Sequence, residues 1–152
     1  RLSKPSMLKR TLLYQHYSIP LRDIVATTNQ KSNNLYAECL LRMVGVRQKG
    51  EGSNEAGAEA IWDFWVKKGV DMAGAFIEDG SGLSRFNSLS ARQMAQIVRF
   101  ALQADSSGAY LASLPVAGES GTLKSLAKGT AAQGRVWAKS GSINRVRAYT
   151  GL

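Results

Sequence analysis

A single change of hydrophobic period constrains this chain more than any other feature. Between Leu21 and Leu102 apolar residues recur mainly at helical spacing, whereas beyond Arg135 they form two short runs joined by a polar turn. Leu21, Ile24, Val25 and Thr28 follow Pro20, which suits a first helical position with Ser18 as cap, and this helix is expected to stop near Asn29–Ser32. A second helix is expected from Asn33 or Asn34, with Leu35, Cys39, Leu40 and Met43 on one side. Lys49–Gly57 reads as a loop. Ile61, Trp62, Trp65 and Val66 then mark a third helix, closed by Gly69. Ala73–Ile77 is a short apolar run, and Asp79–Ser84 is rich in turn formers.

The clearest start signal is the capping box of Ser90 and Gln93, with Leu89 and Met94 placed to staple it. Met94, Ile97, Val98, Ala101 and Leu102 give that helix its buried face. Beyond Pro115 the chain is loop-like, with a short helix expected near Leu123–Lys128. Arg135–Lys139 and Val146–Leu152 read as strands joined by a turn over Ser140–Arg145. Helices followed by a closing hairpin indicate an α+β fold.

Composition narrows the class. The 152 residues suffice for one domain with a real core, and 44% hydrophobic against 20% charged residues excludes a disordered chain. No apolar run reaches the roughly 18 residues of a transmembrane helix. Cys39 has no partner for an internal disulfide, and with His16 as the sole histidine a Cys/His zinc site is excluded. The sequence calls for no metal and no cofactor. It has no signal peptide, begins at Arg1 rather than Met, and stops at Leu152 within an apolar stretch. It is therefore expected to be a piece of a longer protein.

The net charge of +9 is unevenly spread. Arg1, Lys4, Lys9, Arg10 and Arg22 precede the first acid, and Lys124, Lys128, Arg135, Lys139, Arg145 and Arg147 follow the last one, Glu119. Such a bias suits an anionic partner, or simply a solvated basic surface. Nucleic-acid binding would call for interleaved aromatics or a reader motif, and neither is present.

The residue inventory leaves one chemistry standing. No G-x-S-x-G elbow, P-loop or dinucleotide fingerprint occurs, and His16, between Tyr14 and Tyr17, reads as a structural or surface histidine. The adjacent acids Glu78 and Asp79 read as a solvated turn. Serine chemistry with lysine handling the proton remains. Ser32-Asn33-Asn34 fits S-x-N between two helices, and Lys139-Ser140-Gly141 fits K-[ST]-G at the end of an expected strand. Such a strand end presents an ammonium, a hydroxyl and a backbone N–H to a cleft, and its glycine lets a substrate backbone approach.

Four stretches carry a resemblance to a known family: Ser32–Arg42 (SNNLYAECLLR), Asp79–Arg85 (DGSGLSR), Leu114–Lys124 (LPVAGESGTLK) and Ala138–Ile143 (AKSGSI). In that order they resemble the C-terminal part of the penicillin-binding D-alanyl-D-alanine carboxypeptidases of the DacB type, the class C low-molecular-mass penicillin-binding proteins. The resemblance implies part of the serine β-lactamase/DD-peptidase-like transpeptidase fold, with residues 1–152 a single partial domain. Of the family's motifs S-x-x-K, S-x-N and K-T-G, the last two are here. The strings Ser6–Lys9 and Ser125–Lys128 also fit S-x-x-K. The first is too near Ser32, and the second falls after S-x-N. The nucleophile motif is expected upstream. Ser140 departs from the family's usual threonine but keeps the hydroxyl.

The resemblance also implies roles. Ser32 would relay a proton to the leaving amine of D-Ala, Asn34 would donate its amide to a substrate carbonyl, and Lys139 would sit beside Ser32 and keep the site positive. Ser140 would bind the terminal carboxylate of a D-Ala-D-Ala peptide or of a β-lactam, Gly141 would leave room for it, and the Ser142 N–H would serve the oxyanion hole. DGSGLSR would be structural, with Arg85 tying its loop to the core. Apart from the resemblance, strand alternation is expected to put Arg145 and Arg147 on one face, from which they steer substrate at long range.

The implied partner is the peptidoglycan stem peptide ending in D-Ala-D-Ala, together with β-lactam antibiotics, with no nucleic acid and no transmembrane segment, in a periplasmic or other extracytoplasmic location. The implied function is a fragment of a serine-type carboxypeptidase or endopeptidase, itself inactive. Two alternatives stay open: a non-catalytic relative that binds cell-wall peptide, and a basic nucleic-acid-binding module.

Overall fold

A computed structural model describes residues 11–152. Residues 1–10, and with them the Ser6–Lys9 string, lie outside the described residues. Residues 11–20 have no regular secondary structure, and His16 among them is exposed. Five α-helices, one 3₁₀ turn and a two-stranded antiparallel sheet follow.

Helix α1 spans Leu21–Lys31 and α2 spans Asn34–Lys49. Pro20 is the N-cap of α1 with extended backbone, so the cap expected at Ser18 is not used. Ser32 closes α1 in the left-handed conformation (φ 51°, ψ 53°), and the Asn33 side chain then caps α2 by accepting from the Tyr36 N–H at 3.1 Å. Only two residues therefore join the helices. A non-glycine residue at positive φ stores strain that the surrounding structure must hold.

Helix α3 spans Asn54–Lys67, capped by the Ser53 hydroxyl. The expected loop over Lys49–Gly57 is thus shorter, because Ser53 starts the helix before the glycine. Helices α2 and α3 meet at glycine. A Cβ on Gly57 would lie 2.3 Å from the Leu41 carbonyl oxygen, and one on Gly45 would lie 2.9 Å from the Gly57 nitrogen. This close approach selects Leu41 and Gly45 as the buried face of α2. The expected face is wrong: Leu35 and Met43 are 68% and 60% exposed, and Cys39 is exposed as well. Apolar periodicity marks the widest greasy arc, whereas the packing follows the small residues that let two backbones touch. On α3, Trp62 and Trp65 pack on the buried cluster of Val70, Met72 and Ala75, while Val66 turns to solvent.

Helix α4 spans Ala91–Ala104 and opens with the expected capping box. Its Gln93 is buried and donates from Nε2 to the carbonyls of Asp71 (2.8 Å) and Ala73 (3.1 Å), fastening α4 to the cluster. Val98 is buried, and Met94, Ile97, Ala101 and Leu102 are half-buried beside it. A short helix α5, Ala109–Ser113, was not expected, and the helix expected near Leu123–Lys128 is instead a 3₁₀ turn at Gly121–Leu123 followed by turns.

In the Asp79–Arg85 loop, the Asp79 carboxylate accepts from the N–H groups of Gly82 and Ser84, both at 2.6 Å, and from Asn87 Nδ2 at 2.9 Å. The loop is tied to α2 by Glu38, which accepts from the N–H groups of Gly80 and Ser81. Arg85 makes no hydrogen bond among the described residues, so the expected tie through Arg85 is replaced by Glu38.

Strands β1 (Ala138–Ile143) and β2 (Val146–Gly151) form the sheet, with Ile143 opposite Val146. The loop is only Asn144–Arg145, and Arg145 takes a φ of 68°. The expected turn over Ser140–Arg145 is therefore too long. Lys139-Ser140-Gly141 lies inside β1 rather than at a strand end, because a two-residue loop lets pairing run on to Ile143. Arg145 belongs to the turn, so strand alternation does not place it beside Arg147.

Candidate active site

The two sequence motifs are brought together by the segment between Ser113 and Ala138. At the end of α1, Asn29 Nδ2 donates to Ser113 Oγ at 2.8 Å and Gln30 Nε2 donates to the Leu114 carbonyl at 2.8 Å. The next residue, Pro115, accepts from the Ala138 N–H at 3.0 Å, and Val116 bridges Trp137. Leu114, Pro115, Ala117, Leu123 and Ala138 are all buried here. One packed segment thus grips the end of α1 on one side and the start of β1 on the other.

The result is a direct contact over a separation of 107 residues: Lys139 Nζ donates to Ser32 Oγ at 2.8 Å. Lys139 Nζ also donates to the Ser140 carbonyl. No acid pairs with Lys139 among the described residues. Burial disfavours its charged form and lowers its pKa from the usual 10.5. An ammonium in this state gives up its proton more readily than a surface lysine.

Strand register decides which backbone groups face the site. Trp137 and Leu152 exchange both N–H···O bonds, at 2.9 and 2.8 Å. Alternation along an antiparallel pair then turns Lys139, Gly141 and Ile143 toward β2, and Ala138, Ser140 and Ser142 outward. The outward Ala138 N–H bonds Pro115, and the outward Ser140 carbonyl meets Lys139. The Ser142 N–H therefore lies on the same open edge.

A cleft of about 380 Å³ borders β1, lined among others by Thr122, Ser125, Ser140, Ser142, Arg147 and Tyr149. Ser140 Oγ donates to Thr122 Oγ1 at 2.7 Å. Gly141 also borders the cleft, and nothing lies within 4 Å of a Cβ built on it. Ser140 links the two features: its carbonyl meets Lys139, and its hydroxyl faces the cleft.

The sequence-derived site residues thus fall into three groups. Ser32 and Lys139 touch, and Ser140, Gly141 and Ser142 line the cleft. Asn34 is the first residue of α2, exposed, with no side-chain hydrogen bond among the described residues, and it does not line this cleft. Thr122 and Gln30 were missed. Thr122 sits in the quoted LPVAGESGTLK stretch, so its signal was present but unassigned. Arg147, expected to steer substrate from a distance, lines the cleft itself. Ser125 lines the cleft too, but it forms no hydrogen bond with Lys128.

Comparison with known proteins decides the family. The model of the D-Ala-D-Ala carboxypeptidase 3 (S13) family matches residues 3–152. The chain belongs to this family. Among its relatives, a D-alanyl-D-alanine carboxypeptidase of Actinomadura sp. (strain R39) is 39% identical over 145 residues, covering 92% of this chain and 27% of that protein. D-alanyl-D-alanine carboxypeptidase DacB of Haemophilus influenzae is 30% identical over 113 residues, covering 74% of this chain and 24% of that protein. The crystal structure of penicillin binding protein 4 (dacB) from Haemophilus influenzae, complexed with a β-lactam, matches with a TM-score of 0.84 at 28% identity. That match covers 90% of this chain and 32% of the other. The chain spans about a quarter to a third of the length of these relatives, and within that span its α+β fold is that of the Haemophilus influenzae structure.

Proposed function

We propose that these residues are the C-terminal portion of a penicillin-binding transpeptidase domain, and that the intact protein is a serine-type D-Ala-D-Ala carboxypeptidase or endopeptidase. Its substrate is the peptidoglycan stem peptide ending in D-Ala-D-Ala, β-lactams occupy the same cleft, and its location is periplasmic or otherwise extracytoplasmic. The observation that carries this reading is the 2.8 Å contact between Lys139 and Ser32.

The reaction is acyl transfer through a serine ester. A serine from an S-x-x-K motif outside this chain attacks the carbonyl carbon of the penultimate D-Ala, and its proton passes to the lysine of that motif. The C–N bond to the terminal D-Ala breaks, and the departing nitrogen needs a proton. Ser32 gives up its hydroxyl proton to that nitrogen and takes one from the Lys139 ammonium. The Ser142 N–H stabilises the oxyanion of the tetrahedral intermediate, Asn34 donates its amide to a substrate carbonyl, and the Ser140 hydroxyl donates to the terminal carboxylate. Water then hydrolyses the ester, releasing the shortened peptide.

Fluorescent penicillin tests this reading. Residues 1–152 alone should form no covalent adduct, and the intact protein should form one. Labelling of residues 1–152 that is lost on Ser6→Ala or Ser125→Ala would overturn it. Reversible binding of D-Ala-D-Ala peptide without labelling of the intact protein would mark a non-catalytic relative instead.

A further inference from the structure

We propose that Thr122 is a positioning residue for this reaction: its hydroxyl fixes the rotamer of Ser140, which serine does not fix by itself. The inference rests on the functional reading above, in which the Ser140 hydroxyl donates to the bound ligand, and adds a residue that acts through Ser140. Serine carries one heavy atom on Cβ, so its χ1 turns among the staggered wells, whereas the branched Cβ of threonine restricts it. The partner of Ser140 Oγ among the described residues is Thr122 Oγ1, at 2.7 Å.

The fold holds Thr122 in place from both sides. It lies in the 3₁₀ turn Gly121–Leu123. Leu123 is buried, and its carbonyl accepts from the Gly118 N–H at 2.9 Å. Gly121 takes a φ of 54°, and a Cβ on it would lie 2.9 Å from the Gln30 carbonyl oxygen and 2.9 Å from Pro115 Cγ. The turn is thus pressed against the end of α1, two residues before Ser32. A hydroxyl donates and accepts, so the bond between the two side chains can run either way. In the structure Ser140 donates to Thr122. Ligand binding reverses it: Thr122 donates to Ser140 Oγ, and the Ser140 proton turns to the ligand. Each oxygen keeps its own hydrogen, and no covalent bond breaks. Two hydroxyls in series polarise one another, and a ligand that expels water from the cleft leaves them in a lower dielectric, where the bond is stronger. Thr122 itself is exposed, and its hydroxyl has no other hydrogen bond among the described residues, so the fold does not depend on it.

The test is a double-mutant cycle on the intact protein, read as the second-order rate constant of acylation by fluorescent penicillin. Thr122→Val keeps the shape and removes the hydroxyl, and should lower the rate constant by about 10-fold, the size of one net hydrogen bond. Thr122→Ser keeps the hydroxyl and should keep most of the rate. Ser140→Thr supplies the branched Cβ, and against that background Thr122→Val should cost at most about 2-fold, because the two residues are coupled. An equal fall on both backgrounds overturns this inference alone, since Thr122 would then act on the ligand or the fold rather than through Ser140. A wild-type rate in Thr122→Val overturns it too, and so does a loss in Thr122→Ser as large as that in Thr122→Val. Wild-type intact protein that forms no adduct overturns the functional reading and this inference with it.

Discussion

Gln30 Nε2 donates to the Leu114 carbonyl at 2.8 Å, and through that bond the last turn of α1 is fixed to the segment that carries β1. Ser32 lies two residues beyond Gln30, and the strand that bears Lys139 hangs from Pro115, one residue beyond Leu114. The contact between Lys139 and Ser32 is therefore set by residues that take no part in it. Small errors of placement are costly, since about 1 Å of displacement can lower a rate by roughly 10²-fold.

Gln30→Ala should accordingly lower the rate of β-lactam acylation by about 10–100-fold in the intact protein. Its cost in stability should stay near 1 kcal/mol, the usual net value of one hydrogen bond. Stopped-flow acylation and urea unfolding of the same variant separate the two effects.

Gly57→Ala should act in the opposite way, on stability first. Its Cβ would meet the Leu41 carbonyl oxygen at 2.3 Å, a backbone atom that cannot rotate aside. Forcing α2 and α3 apart should cost about 1–3 kcal/mol, read from the shift in the urea midpoint.

How much of this was legible in the sequence depends on the kind of signal. Helix α4 was readable because Ser90 and Gln93 make a local capping box and its apolar residues keep strict helical period. The pairing of S-x-N with K-S-G was readable through motif and order. The packing face of α2 was not, because Gly45 and Gly57 direct it through backbone contact, which hydropathy does not record. The length of the hairpin loop was misjudged because Arg145 occupies a left-handed position usually filled by glycine or asparagine. Gln30 and Thr122 carry no pattern of their own, and they matter only through partners 84 and 18 residues away.

The alkaline limb of the acylation profile should report Lys139. In the proposed step its ammonium supplies the proton, so activity holds while Lys139 is charged and is lost as pH rises through its pKa. Burial lowers that pKa, so the limb should lie below 10.5. A pH–rate profile for fluorescent penicillin checks the sign, and a limb at or above 10.5 would contradict it.

The most direct test of the central claim is the acylation rate of Lys139→Ala in the intact protein. The contact between Lys139 and Ser32 is short-range, at 2.8 Å, and Lys139 itself is half-buried, so salt should screen it little. Acylation by fluorescent penicillin should fall by orders of magnitude at low salt and remain as low above about 0.15 M, where the Debye length is about 8 Å. A rate near that of wild type would contradict the assignment of Lys139-Ser140-Gly141 to the active site.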